Sequence, residues 1–301
     1  MSLFCRHNRL TANCPICSRE LQSELRAKAP PAPPRTRSGA SGAPRTRTRS
    51  GSGRSSGVVT RRVARAADDG YRNPLAPGLR ATADAERLAA ALAAAAARLE
   101  PPGPYPALAT EPDREQATWL AFLVALAGPD APELVETLLA AAPPWPAGVP
   151  GELPQERRRT AEAYRAWAAR AGSQAAAFQG DAGWTPERRF SRVFERLALP
   201  GFGRTPRFEL LCLLGAAGLY DVRAAELFLG LEDDATTLAA KRLLVSGDRL
   251  LLERRARELA EACDVPLAAL DRGLAVWNTP AAPVDLAAEP PAAIRAALNL
   301  R

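Results

Sequence analysis

An all-α body behind a small Cys/His cluster and a basic, Pro-rich linker is the architecture that this 301-residue sequence predicts. Three observations carry it. Hydrophobic residues make up 47% of the chain, enough for a real core at this length. From about Thr82 onward, apolar residues recur at helical spacing, with Gly and Pro as punctuation and no convincing period-2 alternation. Upstream, residues 29–57 have almost no aliphatic side chains and cannot offset the entropy of ordering. The predicted units are a Cys/His segment over 1–22, a disordered Arg/Pro/Gly/Ser-rich linker over 23–81, and one helical domain over 82–301.

Each helix has a mechanism. Asp84 to Glu100 is Ala/Leu-rich and stops before Pro101-Pro102, whereas Glu115 to Ala127 is apolar nearly all round and predicts a central buried helix ending at Gly128-Pro129. Asp130 is a candidate cap for a helix with Pro132 in its first turn, running to about Ala142. Five prolines between 143 and 154 predict a loop, and a helix from about Gln155 stops before Gly172. Thr185-Pro186 opens another, with Phe190, Val193, Phe194 and Leu197 on one face. Further helices are predicted at about 206–217, 221–229, 236–244, 249–262 and 266–277, the one at 249–262 carrying the stripe Leu252, Ala256, Leu259 and Cys263.

Net charge must be divided before it means anything. Residues 1–65 hold 14 Lys+Arg against 2 Asp+Glu, a balance of +12, and the remaining 26 basic and 31 acidic residues leave −5. A basic arm on a mildly acidic body suits a tether that concentrates a protein on nucleic acid, although a solvated linker has the same composition. No apolar stretch reaches the roughly 18 residues that cross a bilayer, and the N-terminus carries charge where a signal peptide carries apolar residues, so a cytoplasmic protein without membrane partners is expected, with nucleoid association left open. No dinucleotide cofactor is expected either.

Cys5, His7, Cys14 and Cys17 place three thiols and the chain's single His within 13 residues. Zinc takes four such ligands in a tetrahedron, and a Cys-x2-Cys turn with Pro15 inside it faces two sulfurs to one ion. Four protein ligands leave no open position, so a structural zinc is predicted. A fortuitous group of thiols is the plainer reading. Cys212 and Cys263 lie on apolar faces and read as core.

In the body, the most informative segment runs from Phe190 to Leu211. An amphipathic helix, the turn Leu199-Pro200-Gly201-Phe202-Gly203, and a second helix form the pattern of a DNA-binding helix-hairpin-helix. Gly201 and Gly203 let the backbone approach a phosphate, amides at the second helix's start attract the anion, and Arg204 and Thr205 would add a charged and a hydroxyl donor. An ordinary link between antiparallel helices also favours Pro and Gly.

Leu199-Pro200-Gly201-Phe202-Gly203-Arg204-Thr205 resembles the hairpin of the helix-hairpin-helix DNA glycosylase superfamily. One divergent branch is closer: Cys5-x-His7-Asn8-Arg9, Cys14-Pro15-x-Cys17, Ala239-Ala240-Lys241-Arg242, Gly247-Asp248, Arg254-Arg255-Ala256 and Leu270-Asp271-x-x-Leu274-x-x-Trp277-Asn278 look like the alpha-glutamyl/putrescinyl thymine pyrophosphorylase clade 3 proteins. The resemblance covers the N-terminal cluster and about residues 105–280. It implies a DNA base-modifying enzyme that flips a thymine-derived base and exchanges a pyrophosphate for an amine, with a carboxylate orienting the nucleophile. The superfamily's spacing from the hairpin glycines to its essential Asp lands on Asp221, whereas the more glycosylase-like context surrounds Asp271, far downstream. No Lys occurs at the hairpin, which argues against a Schiff-base mechanism. Lys241 is the body's only Lys, read either as a phosphate contact or as a surface cation; Asp248 reads as a helix cap, and Trp119, Trp167 and Trp277 as core. From another class, a non-catalytic DNA-binding or adaptor protein that has kept the hairpin fits the same residues.

Overall fold

The computed structural model describes residues 66–128, 131–279 and 281–300. Among them there are twelve helices and no strand: α1 (Thr82–Arg98), α2 (Pro106–Thr110), α3 (Arg114–Ala127), α4 (Pro132–Ala141), α5 (Gln155–Arg170), α6 (Gln174–Gln179), α7 (Pro186–Arg196), α8 (Arg204–Ala216), α9 (Ala235–Leu244), α10 (Arg249–Ala262), α11 (Leu267–Asn278) and α12 (Ala292–Ala297). The all-α expectation holds for this body.

Helix α3 is the hub of one group. Every residue from Ala117 to Ala127 is buried, as an apolar surface without a polar face requires, and α2, α4, α5, α6 and α8 pack around it. Asp113 caps its start by accepting from Glu115 N at 2.9 Å. The Glu115 carboxylate in turn accepts from the first amides of α6, Gln174 N and Ala175 N, at 3.1 and 2.7 Å. The rings of Trp119, Phe122, Tyr164 and Phe202 stack and tilt against one another at the centre. A second group surrounds α11, which packs on α1, α9 and α10. Its contact with α1 is close because Gly273 has no side chain: a Cβ there would lie 2.6 Å from Leu92 Cδ2 and 3.2 Å from Leu92 Cα.

Several expectations change. Residues 66–81, read from composition as linker, pack on the body: Asn73 is buried and donates to Ala297 O at 2.8 Å, and Gly78 N donates to Leu243 O at 2.8 Å. The N-cap of α4 is Ala131, without a side-chain cap, and Asp130 lies outside the described residues. Residues 221–229 are irregular and not helical. The cause is tertiary: buried Glu253 on α10 accepts from Leu227 N and Leu229 N at 2.8 and 2.6 Å, and Phe228 takes a positive φ of 57°. One carboxylate thus supplies the acceptors that a helix would have found in its own carbonyls. Asp248 does cap α10, accepting from Leu251 N at 2.8 Å, and Trp119, Trp167 and Trp277 are buried.

Candidate functional site

Helices α7 and α8 are joined by the turn at 197–203. Thr185 caps α7, and Phe190, Val193, Phe194 and Leu197 bury the predicted stripe. At the turn's tip, Gly201 has φ of 74°, and a Cβ there would lie 2.5 Å from Thr160 Oγ1. That hydroxyl donates to Pro200 O at 2.9 Å, fastening the turn to α5. Phe202 fills the core beneath it.

At the start of α8 the cap comes from elsewhere in the chain. Gly203 carries no side chain, and the Glu232 carboxylate sits where its Cβ would be, 2.7 Å from that position. Glu232 Oε1 accepts from Arg204 N at 3.0 Å and lies 3.6 Å from Arg207 Nη2. The first amide of α8, offered by the sequence pattern to a phosphate, is therefore already bound to an internal anion.

Arg204 corrects the sequence reading. It was expected as an exposed donor to DNA, but its side chain is fully buried. Its guanidinium is ion-paired with Asp271, lies 3.3 Å from Asp234 Oδ2, and rests 5.3 Å from the Phe208 ring centre. The signal was present in the periodicity: Arg204, Phe208 and Leu211 stand at i, i+4 and i+7, and the last two are core.

The same ion pair brings Asp271 to the start of α8. Asp271 lines a cleft of about 260 Å³ at the junction of the two helix groups, together with Thr205, Pro206 and Glu209 of α8, Arg272 and Ala275 of α11, Arg157 of α5, and the end of α3. Burial pushes the Asp271 carboxyl up to about 6; Arg204 and Thr236 oppose the rise, and Asp234 and Glu209 add to it. Glu209 is held by Arg98 at 2.9 Å. Arg157 and Arg272 form no side-chain hydrogen bond or ion pair with another described residue and line the cleft with the buried carboxyl. Sequence reasoning missed Glu209, Glu232, Arg157 and Arg272, because none belongs to a local motif.

The other expected site residues lie elsewhere. Asp221 is exposed, 3.8 Å from Arg189 Nη1, and does not line the cleft. Lys241 is partly exposed on α9 and paired with Asp233 Oδ1 at 2.7 Å, which is the surface-cation reading. Thr205 and Asp271 share the cleft, whereas Gly201 and Gly203 shape the turn beside it. Cys5, His7, Cys14 and Cys17 lie outside the described residues, among which no group of three or more His, Cys, Asp or Glu could hold a metal. Burial raises both remaining thiols, Cys212 well above its ordinary value and Cys263 to about 11, as core positions should. No described helix is long and apolar enough to cross a membrane.

No curated protein and no solved structure matches the chain. A family model does match residues 152–281, which run from α5 through α11 and contain the turn, Asp271 and every cleft residue except those at the end of α3 and Ala131. The match is narrower than the resemblance read from the sequence, omitting both the N-terminal cluster and residues 105–151. Over 152–281 the chain is similar to the family described as alpha-glutamyl/putrescinyl thymine pyrophosphorylase clade 3.

Proposed function

We propose that the protein is a DNA base-modifying enzyme that draws one thymine-derived base into the cleft at Asp271 and replaces a pyrophosphate on it with an amine. The observation that carries this reading is a buried carboxyl, raised by burial to about 6, in a cleft that opens beside the α7–α8 turn. A volume of about 260 Å³ suits one compact group, being just under the roughly 300–1,000 Å³ of ordinary small-molecule pockets. The family-model match over this segment suggests the chemistry.

The exchange needs one leaving group and one proton acceptor. The amine nitrogen attacks the methylene carbon, the C–O bond breaks, and pyrophosphate leaves with that electron pair. The amine's proton passes to ionised Asp271, which is mostly deprotonated at pH 7. Arg157 and Arg272 would offset the leaving group's charge. A second reading, a DNA binder without chemistry, is favoured by one feature: Asp271 already holds an internal cation, Arg204.

Incubating the full-length protein with duplex DNA bearing a pyrophosphorylated 5-hydroxymethyluracil and either glutamate or putrescine separates the two. The expected result is pyrophosphate release, slowed roughly 100-fold or more by Asp271→Asn with DNA affinity retained. Binding without release by the wild-type protein would favour the binder; equal rates in both proteins would remove Asp271 from the chemistry.

We also propose that Cys5, His7, Cys14 and Cys17 hold one structural zinc, on the strength of their spacing. Elemental analysis should find about one zinc per chain. Its absence from protein purified without chelator would end that proposal.

A further inference from the structure

Arginine density in the body peaks at the start of α5, where Arg157, Arg158 and Arg159 stand in a row. Arg158 and Arg159 are exposed and, like Arg157, form no side-chain hydrogen bond or ion pair with another described residue. Their position works against the helix itself. Arg157 and Arg158 lie in the first turn and Arg159 just beyond it, where cations oppose the macrodipole, so helix stability does not account for them.

Their surroundings point outward to a ligand. Gln155, Arg158, Arg159 and Glu162 fall at i, i+3, i+4 and i+7 and, with Leu153, line an open groove. Glu162 is the groove's one acidic residue, and neither arginine is paired with it. The face spans about 10 Å along the helix axis. That length corresponds to roughly three phosphates of one DNA strand at 3.4 Å each. The groove also has a fixed relation to the candidate site. Thr160, the next residue, is bonded to Pro200 O of the turn, and Arg157, around the helix, lines the Asp271 cleft.

We infer that the Arg158–Arg159 face of α5 is the body's docking surface for the DNA sugar-phosphate backbone, leading one strand towards the cleft. The role expected of buried Arg204 thereby passes to two arginines that solvent and DNA can reach. This rests on the DNA reading above and can fail separately from it.

The test is duplex binding by the full-length protein, measured by fluorescence anisotropy over a series of salt concentrations. Arg158→Gln/Arg159→Gln is compared with wild type and with a charge-matched control, Arg223→Gln/Arg254→Gln, at two exposed arginines on other elements. The double variant should reduce the slope of log K against log salt by about 1.8, two contacts' worth, while the control stays near wild type. Both side chains are exposed, and removing cations near the helix start does not weaken it, so circular dichroism should show no loss of helix. Salt-dependent wild-type binding with the same slope in the double variant, or an equal loss in the control, would overturn this surface and leave the DNA reading intact. Wild-type protein that binds no DNA would overturn both, and capture of an acidic protein in place of DNA would assign the groove to another partner.

Discussion

Replacing Arg204 with alanine is expected to destabilise the fold by about 3–5 kcal/mol, the range for removing one member of a buried ion pair. The side chain is fully buried and is among the largest so enclosed, so truncation leaves a cavity as well as two stranded carboxylates. Asp234 keeps one partner, since its Oδ1 caps α9 by accepting from Thr237 N at 2.7 Å. Asp271 loses its one ion-pair partner among the described residues, and without Arg204 its carboxyl rises beyond the present value of about 6. It can then relieve its isolation by taking up a proton, so the variant's deficit should shrink from pH 7 towards pH 5. Urea unfolding followed by circular dichroism at the two pH values measures both effects. An Arg204→Ala midpoint equal to wild type would mean that the guanidinium is not a buried structural cation. Loss of DNA binding in this variant could not be read as a lost phosphate contact until its folding had been checked.

What was readable in the sequence was what neighbouring residues decide. Helix α3 announced itself because eleven consecutive buried residues leave no polar face, and α7 because Thr185-Pro186 and a four-residue stripe agree. The short helices α2, α6 and α12 were missed, since five or six residues give too little periodicity to separate helix from loop. Residues 221–229 show the opposite failure. Their composition suits a helix, but Glu253 accepts two of their amides from a distant helix, and no local pattern carries that information.

The candidate site divides along the same line. The turn's shape was legible, because a positive φ at Gly201 and the approach to Thr160 both require glycine. Its electrostatics were not. Charge next to a Gly-rich turn suggested an outward cation, whereas Arg204 follows the apolar face of α8 inward to meet Asp271, distant in sequence. Glu232 then supplies from another loop the anion that the helix start attracts. Spacing alone selected Asp221, on the exposed surface, while the Leu-Asp-x-x-Leu context selected Asp271, which reaches the cleft because Leu270 and Leu274 bury that face of α11. A carboxylate held between core leucines was the better signal.

The pH dependence of stability should carry the signature of that burial. Asp271 binds a proton with a pKa of about 6 when folded, against 3.8 for the free group. Between those values the folded state holds more protons than the unfolded state, so this group's contribution falls as pH rises. The stabilisation is complete below pH 3.8 and has gone above about 6. A difference of about two units corresponds to about 3 kcal/mol. Other carboxylates run the opposite way, since hydrogen bonds hold Asp68, Asp69 and Glu187 below their ordinary values and their contributions fade in acid. The Asp271 contribution is therefore isolated by comparison with Asp271→Asn, which keeps the shape and cannot titrate. Wild type should gain on the variant by roughly 2.4 kcal/mol as pH falls from 7 to 4, read from urea midpoints at each pH. A constant difference across that range would mean that Asp271 stays ionised, held by Arg204. In that case the cleft would contain a fixed anion suited to binding a cationic amine, and the general-base step proposed for Asp271 would have no proton acceptor tuned to neutral pH.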